Sequence, residues 1–178
     1  MKSIRERALD AAVDLIGADG VRALTHGRID AAAGLPPGST SNYFRTRAAL
    51  IAGVIDWIAT RERADAGIPE ITTREEFVSA LIRMIEVQSG PLSMRTRARY
   101  ALFLEPDEDA VRPLREQRAA FEAWVRGVLF TLGGAAAEQH TTFLMATADG
   151  LLLHRITIDP HAAVGDAITH AIDAAIRT

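Results

Sequence analysis

The sequence predicts an all-α fold, with an N-terminal three-helix helix-turn-helix head followed by a body of about six helices. Apolar residues recur at helical spacing along most of the 178 residues, and the short alternating runs that mark strands are absent. Capping-box pairs, Ser3 with Glu6 and Thr73 with Glu76, stand just ahead of two periodic stretches. Gly and Pro divide the rest at helix-length intervals.

The first helix follows Ser3. Ile4, Ala8, Ala11, Ala12, Leu15 and Ile16 form one stripe, and the helix is expected to run to about Gly17, with Asp19-Gly20 ending it. Thr25 is a good N-cap for a second helix over about residues 26–33, which Gly34 stops by supplying a left-handed residue. Pro36-Pro37 cannot lie inside a helix, but Pro37 suits a first turn, so a third helix is expected over about Pro37–Tyr43. A longer helix from Thr46 to about Ala66 carries Leu50, Val54, Trp57 and Ile58, and Gly67 and Pro69 break it. After Thr73 comes a helix with Phe77, Leu81, Met84, Ile85 and Gln88 on one side. Gly90-Pro91 separates it from a helix of about residues 92–104 that stops at Glu105-Pro106. Another is expected from about Ala110 to Leu132, broken by Gly133-Gly134. Residues of about 136–157 are apolar nearly all round, and Asp159-Pro160 is expected to cap a final helix carrying Val164, Ile168, Ile172 and Ile176.

Composition narrows the classes. With 48% hydrophobic residues the chain suits a packed fold rather than a disordered one. The absence of cysteine excludes disulfides, thiolate metal sites and a Cys nucleophile. The start is charged and amphipathic, without the apolar core of a signal peptide, and no apolar run is long enough to cross a bilayer, so a cytoplasmic location with no membrane partner is expected. Net charge is −3 but uneven. Residues 1–50 carry seven Lys/Arg against five acids; the remainder carries thirteen against eighteen. A mildly basic head on an acidic body fits a head that meets phosphate.

Thr25–Leu50 holds the most information. Two short helices joined by a glycine turn place the second at the surface, where it can enter a DNA major groove. The pattern Thr25…Ile29…Ala33-Gly34-Leu35…Gly38-Ser39…Tyr43-Phe44…Arg47…Leu50 resembles the tetracycline-repressor (TetR) family of bacterial transcription regulators, and the order of helices around it is similar too. The motif covers roughly the first 50 residues. Beyond Leu50 only length, helix count and Ala146–His154 are familiar. Four residues depart from the family pattern. Asp30 stands where Ala is usual, at a close contact between the two short helices. Ser41 stands where an aromatic is common, Pro36 where Ser or Thr would cap the recognition helix, and Arg47 where Lys is usual.

The resemblance implies a DNA-binding domain over residues 1–46 and an effector-binding and dimerisation domain over 47–178. It implies that Thr25, His26 and Arg28 meet the phosphate backbone at a helix N-terminus. Gly38 lets backbone approach backbone, Ser39, Thr40 and Asn42 reach base edges, and Pro37 packs on a thymine methyl. Tyr43 and Arg47 add phosphate contacts, while Phe44 and Leu50 lock the unit onto the first helix.

One such head buries too little surface for a tight site, so a homodimer on a palindromic operator of double-stranded DNA is expected, paired through the last two helices. The family also implies a small-molecule pocket in the body. Its candidate lining is Met84, Gln88, Tyr100, Phe103, Phe121, Trp124, Met145 and His154: an apolar wall with sparse polar groups and no formal charge, which favours a neutral or weakly polar effector. No metal or cofactor is expected. The five histidines lack the spacing of a helical zinc site, and neither a phosphate-binding glycine loop nor a nucleophile elbow occurs. No catalytic residue stands out, so the reading is a ligand-responsive regulator and not an enzyme. The alternative is a small all-helical carrier or enzyme whose DNA-binding head is non-functional.

Overall fold

The computed structural model describes residues 2–65, 67, 70–105 and 107–177. Among them lie nine α-helices and no strand: α1 (Ile4–Asp19), α2 (His26–Ala32), α3 (Ser39–Tyr43), α4 (Arg47–Asp65), α5 (Arg74–Ser89), α6 (Ser93–Phe103), α7 (Glu108–Glu138), α8 (Thr141–Thr157) and α9 (Gly165–Ile176). A single 3-10 turn, Val21–Ala23, joins α1 to α2. Pro69, Pro106 and Ala66, expected at helix ends, lie outside the described residues. None of the described helices is long and apolar enough to cross a membrane.

The helices form two compact units, residues 1–66 with 94–117 and residues 67–93 with 118–178. In the first, α1 turns Ala8, Leu9, Ala12, Val13 and Ile16 inward. They meet Leu24, Ile29, Leu50, Val54, Ile55 and Ile58, together with Ala98 and Leu102 of α6 and Val111 and Leu114 of α7. Both ends of α1 are finished: Ser3 and Glu6 cap each other's backbone amides, and Gly20 donates to the Ile16 carbonyl. Two polar links cross this core. The Trp57 indole donates to Asp10 at 2.9 Å in a part-buried bond, and Arg99 pairs with Glu62 at 2.8 Å, largely buried.

In the second unit α5, α8 and α9 pack on one another, with the later part of α7 beside them. Its core is Phe77, Leu81 and Ile85 of α5, Val125 and Leu129 of α7, Leu144, Met145, Ala148, Leu152 and Ile156 of α8, and Ile168 and Ile172 of α9. Thr73 and Glu76 form the expected capping box, and Arg74 reaches Asp173 of α9 at 2.5 Å.

Several boundaries correct the expectations. Helix α1 continues two residues beyond Gly17. The expected break at Gly133-Gly134 is present inside α7: Gly134 (φ 69°, ψ −161°) is not helical, and a further short helical stretch follows it to Glu138. In consequence α8 begins at Thr141 and not near residue 136. Asp159 does not cap α9. Its carboxylate accepts from the His161 amide in a local turn, and the helix starts at Gly165.

Candidate nucleic-acid interface

The unit that positions the candidate residues begins at Thr25. In extended backbone, its hydroxyl accepts from the Arg28 amide, as an N-cap should. Gly34 then takes φ 60° and turns the chain, and the Leu35 amide reaches back to the Asp30 carbonyl at 2.8 Å. Arg7 of α1 closes this end of α2 by donating to the carbonyls of Ala33 and Gly34.

The segment after Leu35 differs from the expected helix over Pro37–Tyr43. The Ser39 amide bonds to the Pro36 carbonyl, and Gly38 has φ 87° and ψ −5°, the values of the third residue of a type II turn. Pro37 and Gly38 are the favoured central pair of that turn, so Pro37 shapes the approach and α3 itself starts at Ser39. The helix has five residues, and its N-cap is a glycine with no side chain to offer.

The missing cap is supplied from α2. Asp30 accepts from the Gly38 amide at 2.8 Å with one oxygen, and from the Thr40 amide at 2.8 Å and hydroxyl at 2.5 Å with the other. Both side chains are buried. Burial pushes the Asp30 carboxyl pKa up, but the hydrogen bonds from Thr40 and Gly38 and the nearby His26 outweigh it, leaving it below its ordinary value.

The remaining residues fall into two groups. Thr40 leaves the base-reading set: it is wholly buried and its hydroxyl is committed to Asp30. His26 is half-buried with Nε2 on the Phe44 carbonyl at 2.6 Å. Arg47 is exposed, and its guanidinium donates to the carbonyls of Leu24 (2.7 Å) and Val21 (2.9 Å), tying α4 to the turn before α2. Ser39 is half-buried with its hydroxyl on the Pro36 carbonyl. By contrast, Thr25, Arg28, Pro37, Gly38, Asn42 and Tyr43 are all exposed. Arg28 pairs with Asp19, each side chain about half exposed. Asn42 keeps its side-chain carboxamide free of partners among the described residues, and Tyr43 is 50% exposed.

Two contributors were not singled out from the sequence. Arg45, two residues after Tyr43, is exposed and unpaired among the described residues. The Arg47 guanidinium, by contrast, is engaged by two carbonyls. Asp30 was visible as a departure from pattern, but its role needs the fold.

The eight residues proposed to line an effector pocket do not share one unit. Tyr100 and Phe103 belong to the first unit; Met84, Gln88, Phe121, Trp124, Met145 and His154 belong to the second. There Trp124 stacks on Phe121 (5.5 Å between ring centroids) and meets Phe77 edge-on (5.9 Å). Met145 is buried in the core and His154 is exposed on α8. Two open surface depressions, of 530 and 450 Å³, are lined by other residues. Among the described residues no cluster of His, Asp and Glu is placed to hold a metal.

Residues 72–177 match the family described as tetracyclin repressor-like, C-terminal domain. The fold is similar to that of a TetR-family member from Streptomyces coelicolor A3, with 23% identity, 98% of this chain and 99% of that chain covered, and a TM-score of 0.72. It is also similar to a transcriptional regulator from Rhodococcus sp. Rha1, with 21% identity, 97% and 94% covered, and a TM-score of 0.73. A third likeness is to the multidrug binding protein EbrR complexed with ethidium, with 22% identity, 98% of each chain covered, and a TM-score of 0.66. The comparison with curated proteins returns no match.

Proposed function

The chain belongs to the tetracycline-repressor (TetR) family of transcriptional regulators, and from that premise we propose that it is a ligand-responsive repressor acting on a palindromic operator. Residues 1–46 serve as the DNA-binding part and residues 47–178 as the effector-binding and dimerisation part. The observation that carries the DNA reading is α3 itself, a five-residue helix fastened from below by Asp30 with Asn42 and Tyr43 left exposed and unpartnered. Asn42 is suited to base edges, and Tyr43, Arg45, Arg28 and Thr25 to phosphates. Pro37 and Gly38 present a flat, side-chain-poor approach beside them.

The exposed face of α8 supports the expected pairing. On α8 the exposed residues Phe143, Ala146, Gly150, Leu153 and Thr157 follow the alternating three-and-four spacing of a helix seam. Phe143 and Leu153 are 48% and 45% exposed, and a Cβ at Gly150 would meet nothing within 4 Å. Small central residues let a second helix come close. The hydroxyls of Thr147 and Thr157 are turned onto carbonyls of their own helix, which keeps the seam apolar. A two-fold axis would pair it with its own copy.

A neutral or weakly polar molecule bound in the body relieves repression if it favours the non-binding state, since only differential affinity shifts an equilibrium. EbrR, a multidrug binding protein complexed with ethidium, shares this fold. The test is selection of duplexes from a randomised library by the full-length chain, followed by fluorescence anisotropy across a salt series. The expected result is a two-fold-symmetric sequence with half-sites about one helical turn apart and a steep salt slope. Failure to enrich any sequence, with no salt-dependent binding to random duplex, would refute the reading.

A further inference from the structure

We propose that Asp30 is the positioning residue of the DNA-reading helix, setting the pose of α3 from outside it; this rests on α3 being the reading element. A helix of five residues cannot hold itself, because nucleation is costly and its first four amides have no partner within it. The local chain supplies only part of them: the Ser39 amide donates to the Pro36 carbonyl and the Asn42 amide to the Gly38 carbonyl, which leaves the Gly38 and Thr40 amides to be met from elsewhere. Gly38 at the cap has no side chain, Pro36 and Pro37 carry no polar side-chain atom, and the two nearby serines face the wrong way. Ser39 donates its hydroxyl to the Pro36 carbonyl and Ser41 donates to the Gly38 carbonyl, so each satisfies an acceptor and neither satisfies an amide.

Asp30, in the last turn of α2, takes those two amides. One buried carboxylate receives three donors, the Gly38 amide on one oxygen and the Thr40 amide and hydroxyl on the other. Its two oxygens therefore grip α3 at two successive points, one on the turn and one inside the first helical turn. That fixes both the start of the helix and its rotation about its own axis. Among the described residues Asp30 enters no ion pair, so its charge is balanced by these donors rather than by a cation. Charge-assisted bonds of this kind are stronger than neutral ones, and directional.

The exposed residues come directly after this grip. Thr40 is held, Ser41, Asn42 and Tyr43 are the next three residues of the same short helix, and a change of a few degrees at Thr40 re-aims them. Thr40 thus acts on DNA recognition through Asp30 and not by touching a base. Loss of the clamp removes no charge from the DNA-facing side, so it selectively weakens sequence discrimination.

The experiment uses the full-length chain with Asp30→Ala, Asp30→Asn, Thr40→Val and the conservative Thr40→Ser. Each is measured by anisotropy on a duplex selected by the wild type and on a random duplex of equal length, with circular dichroism to normalise for folded protein. Amide exchange at Gly38 and Thr40 is read in parallel. Asp30→Ala is expected to weaken selected-site binding by about tenfold while random-duplex binding and the salt slope stay near wild type. Thr40→Val moves the same way by less, Thr40→Ser stays close to wild type, and the two amides lose protection in Asp30→Ala.

If Asp30→Ala and Thr40→Val keep the wild-type ratio of selected to random affinity, the proposal is overturned. Equal losses on both duplexes after normalisation also overturn it. A wild type that selects no duplex sinks the DNA reading instead. In that event the exchange result still decides whether Asp30 clamps α3.

Discussion

The ring of Phe44 fills the space in which a side chain at Gly53 would stand: a Cβ there would lie 2.4 Å from Cε1 and 3.1 Å from Cζ. Phe44 is the residue that ends α3, and it is nearly buried, with the Arg5 guanidinium 5.6 Å from its ring centre. The end of α3 is thereby pressed flat onto the backbone of α4. Gly53→Ala should lower stability by about 1–3 kcal/mol through overpacking, despite the better helix propensity of alanine. A thermal melt checks it, and adding Phe44→Leu to Gly53→Ala should restore part of the loss.

Gly17 offers a sharper contest of signs. It lies in α1, where alanine would gain about 1 kcal/mol of helix propensity. A Cβ at this position would stand 2.4 Å from the Met94 carbonyl oxygen and 2.9 Å from its carbon. Backbone cannot swing aside as a side chain can, so Gly17→Ala should destabilise more than Gly53→Ala. Paired urea titrations of the two variants decide the order, and a stabilised Gly17→Ala would show that α1 does not sit so close to Met94.

The head was largely legible in the sequence because its signals are local. Thr25 as cap, Gly34 as left-handed stop and the Ser3–Glu6 box each act within a few residues, and the structure has all three. What escaped depended on distance in the chain. Asp30 and Thr40 are ten residues apart, and Arg47 binds carbonyls more than twenty residues back. No periodicity registers such pairings. Pro37 went astray for a different reason, since proline suits both a helix start and the second position of a type II turn, and only Gly38 in the left-handed region tells them apart. In the body, aromatic spacing could not separate packing from pocket: Trp124 and Phe121 turn out to stack on each other.

The Glu62–Arg99 pair predicts a cost from breaking one side alone. The side chains are 8% and 15% exposed, so Glu62→Leu leaves a guanidinium stranded in a poor solvent. The loss should be about 3 kcal/mol. Removing both charges, in Glu62→Leu with Arg99→Met, should recover most of it, because the desolvation penalty disappears along with the attraction. Denaturant midpoints of the two single variants and the double variant form the cycle that tests this. A double variant as unstable as Glu62→Leu would show that the pair itself, and not the stranded charge, carries the energy.

Asp30 also gives a pH dependence of defined sign. Its folded pKa lies below the ordinary 3.8, so the unfolded chain takes up the proton first as the pH falls. The clamp's contribution is whole above about pH 4–5 and is lost as the pH drops through the folded value. Glu6, Glu76 and Asp173 are lowered as well, by hydrogen bonds from the Ser3 backbone, the Thr72 backbone and the Arg74 side chain respectively, so the wild type loses stability in acid from several sources. The difference between wild type and Asp30→Asn isolates one of them. That gap should be widest near neutral pH and should narrow below about pH 4. A gap that stays constant down to about pH 3 would mean that the carboxylate charge is not what holds α3.

Pairing through α8 predicts that one charge in the seam is enough to part the subunits. Ala146 lies between Phe143 and Gly150 on the exposed stripe, and Ala146→Glu would bring two carboxylates face to face across a two-fold axis. Burying them unpaired costs several kcal/mol, which shifts a dimer constant by a hundredfold or more on the scale of about 1.4 kcal/mol per tenfold. Ile158→Glu, at an exposed position at the end of α8 and well round the helix from the stripe, serves as the control for adding a charge there. Sedimentation velocity at micromolar concentration should give a monomer for Ala146→Glu and a dimer for Ile158→Glu. The DNA consequence comes from linkage of the two heads: a monomer must find each half-site separately and loses the effective concentration that the partner provides. Affinity for a symmetric operator should therefore fall far more than affinity for an isolated half-site, and equal losses on both would place the defect in the head instead.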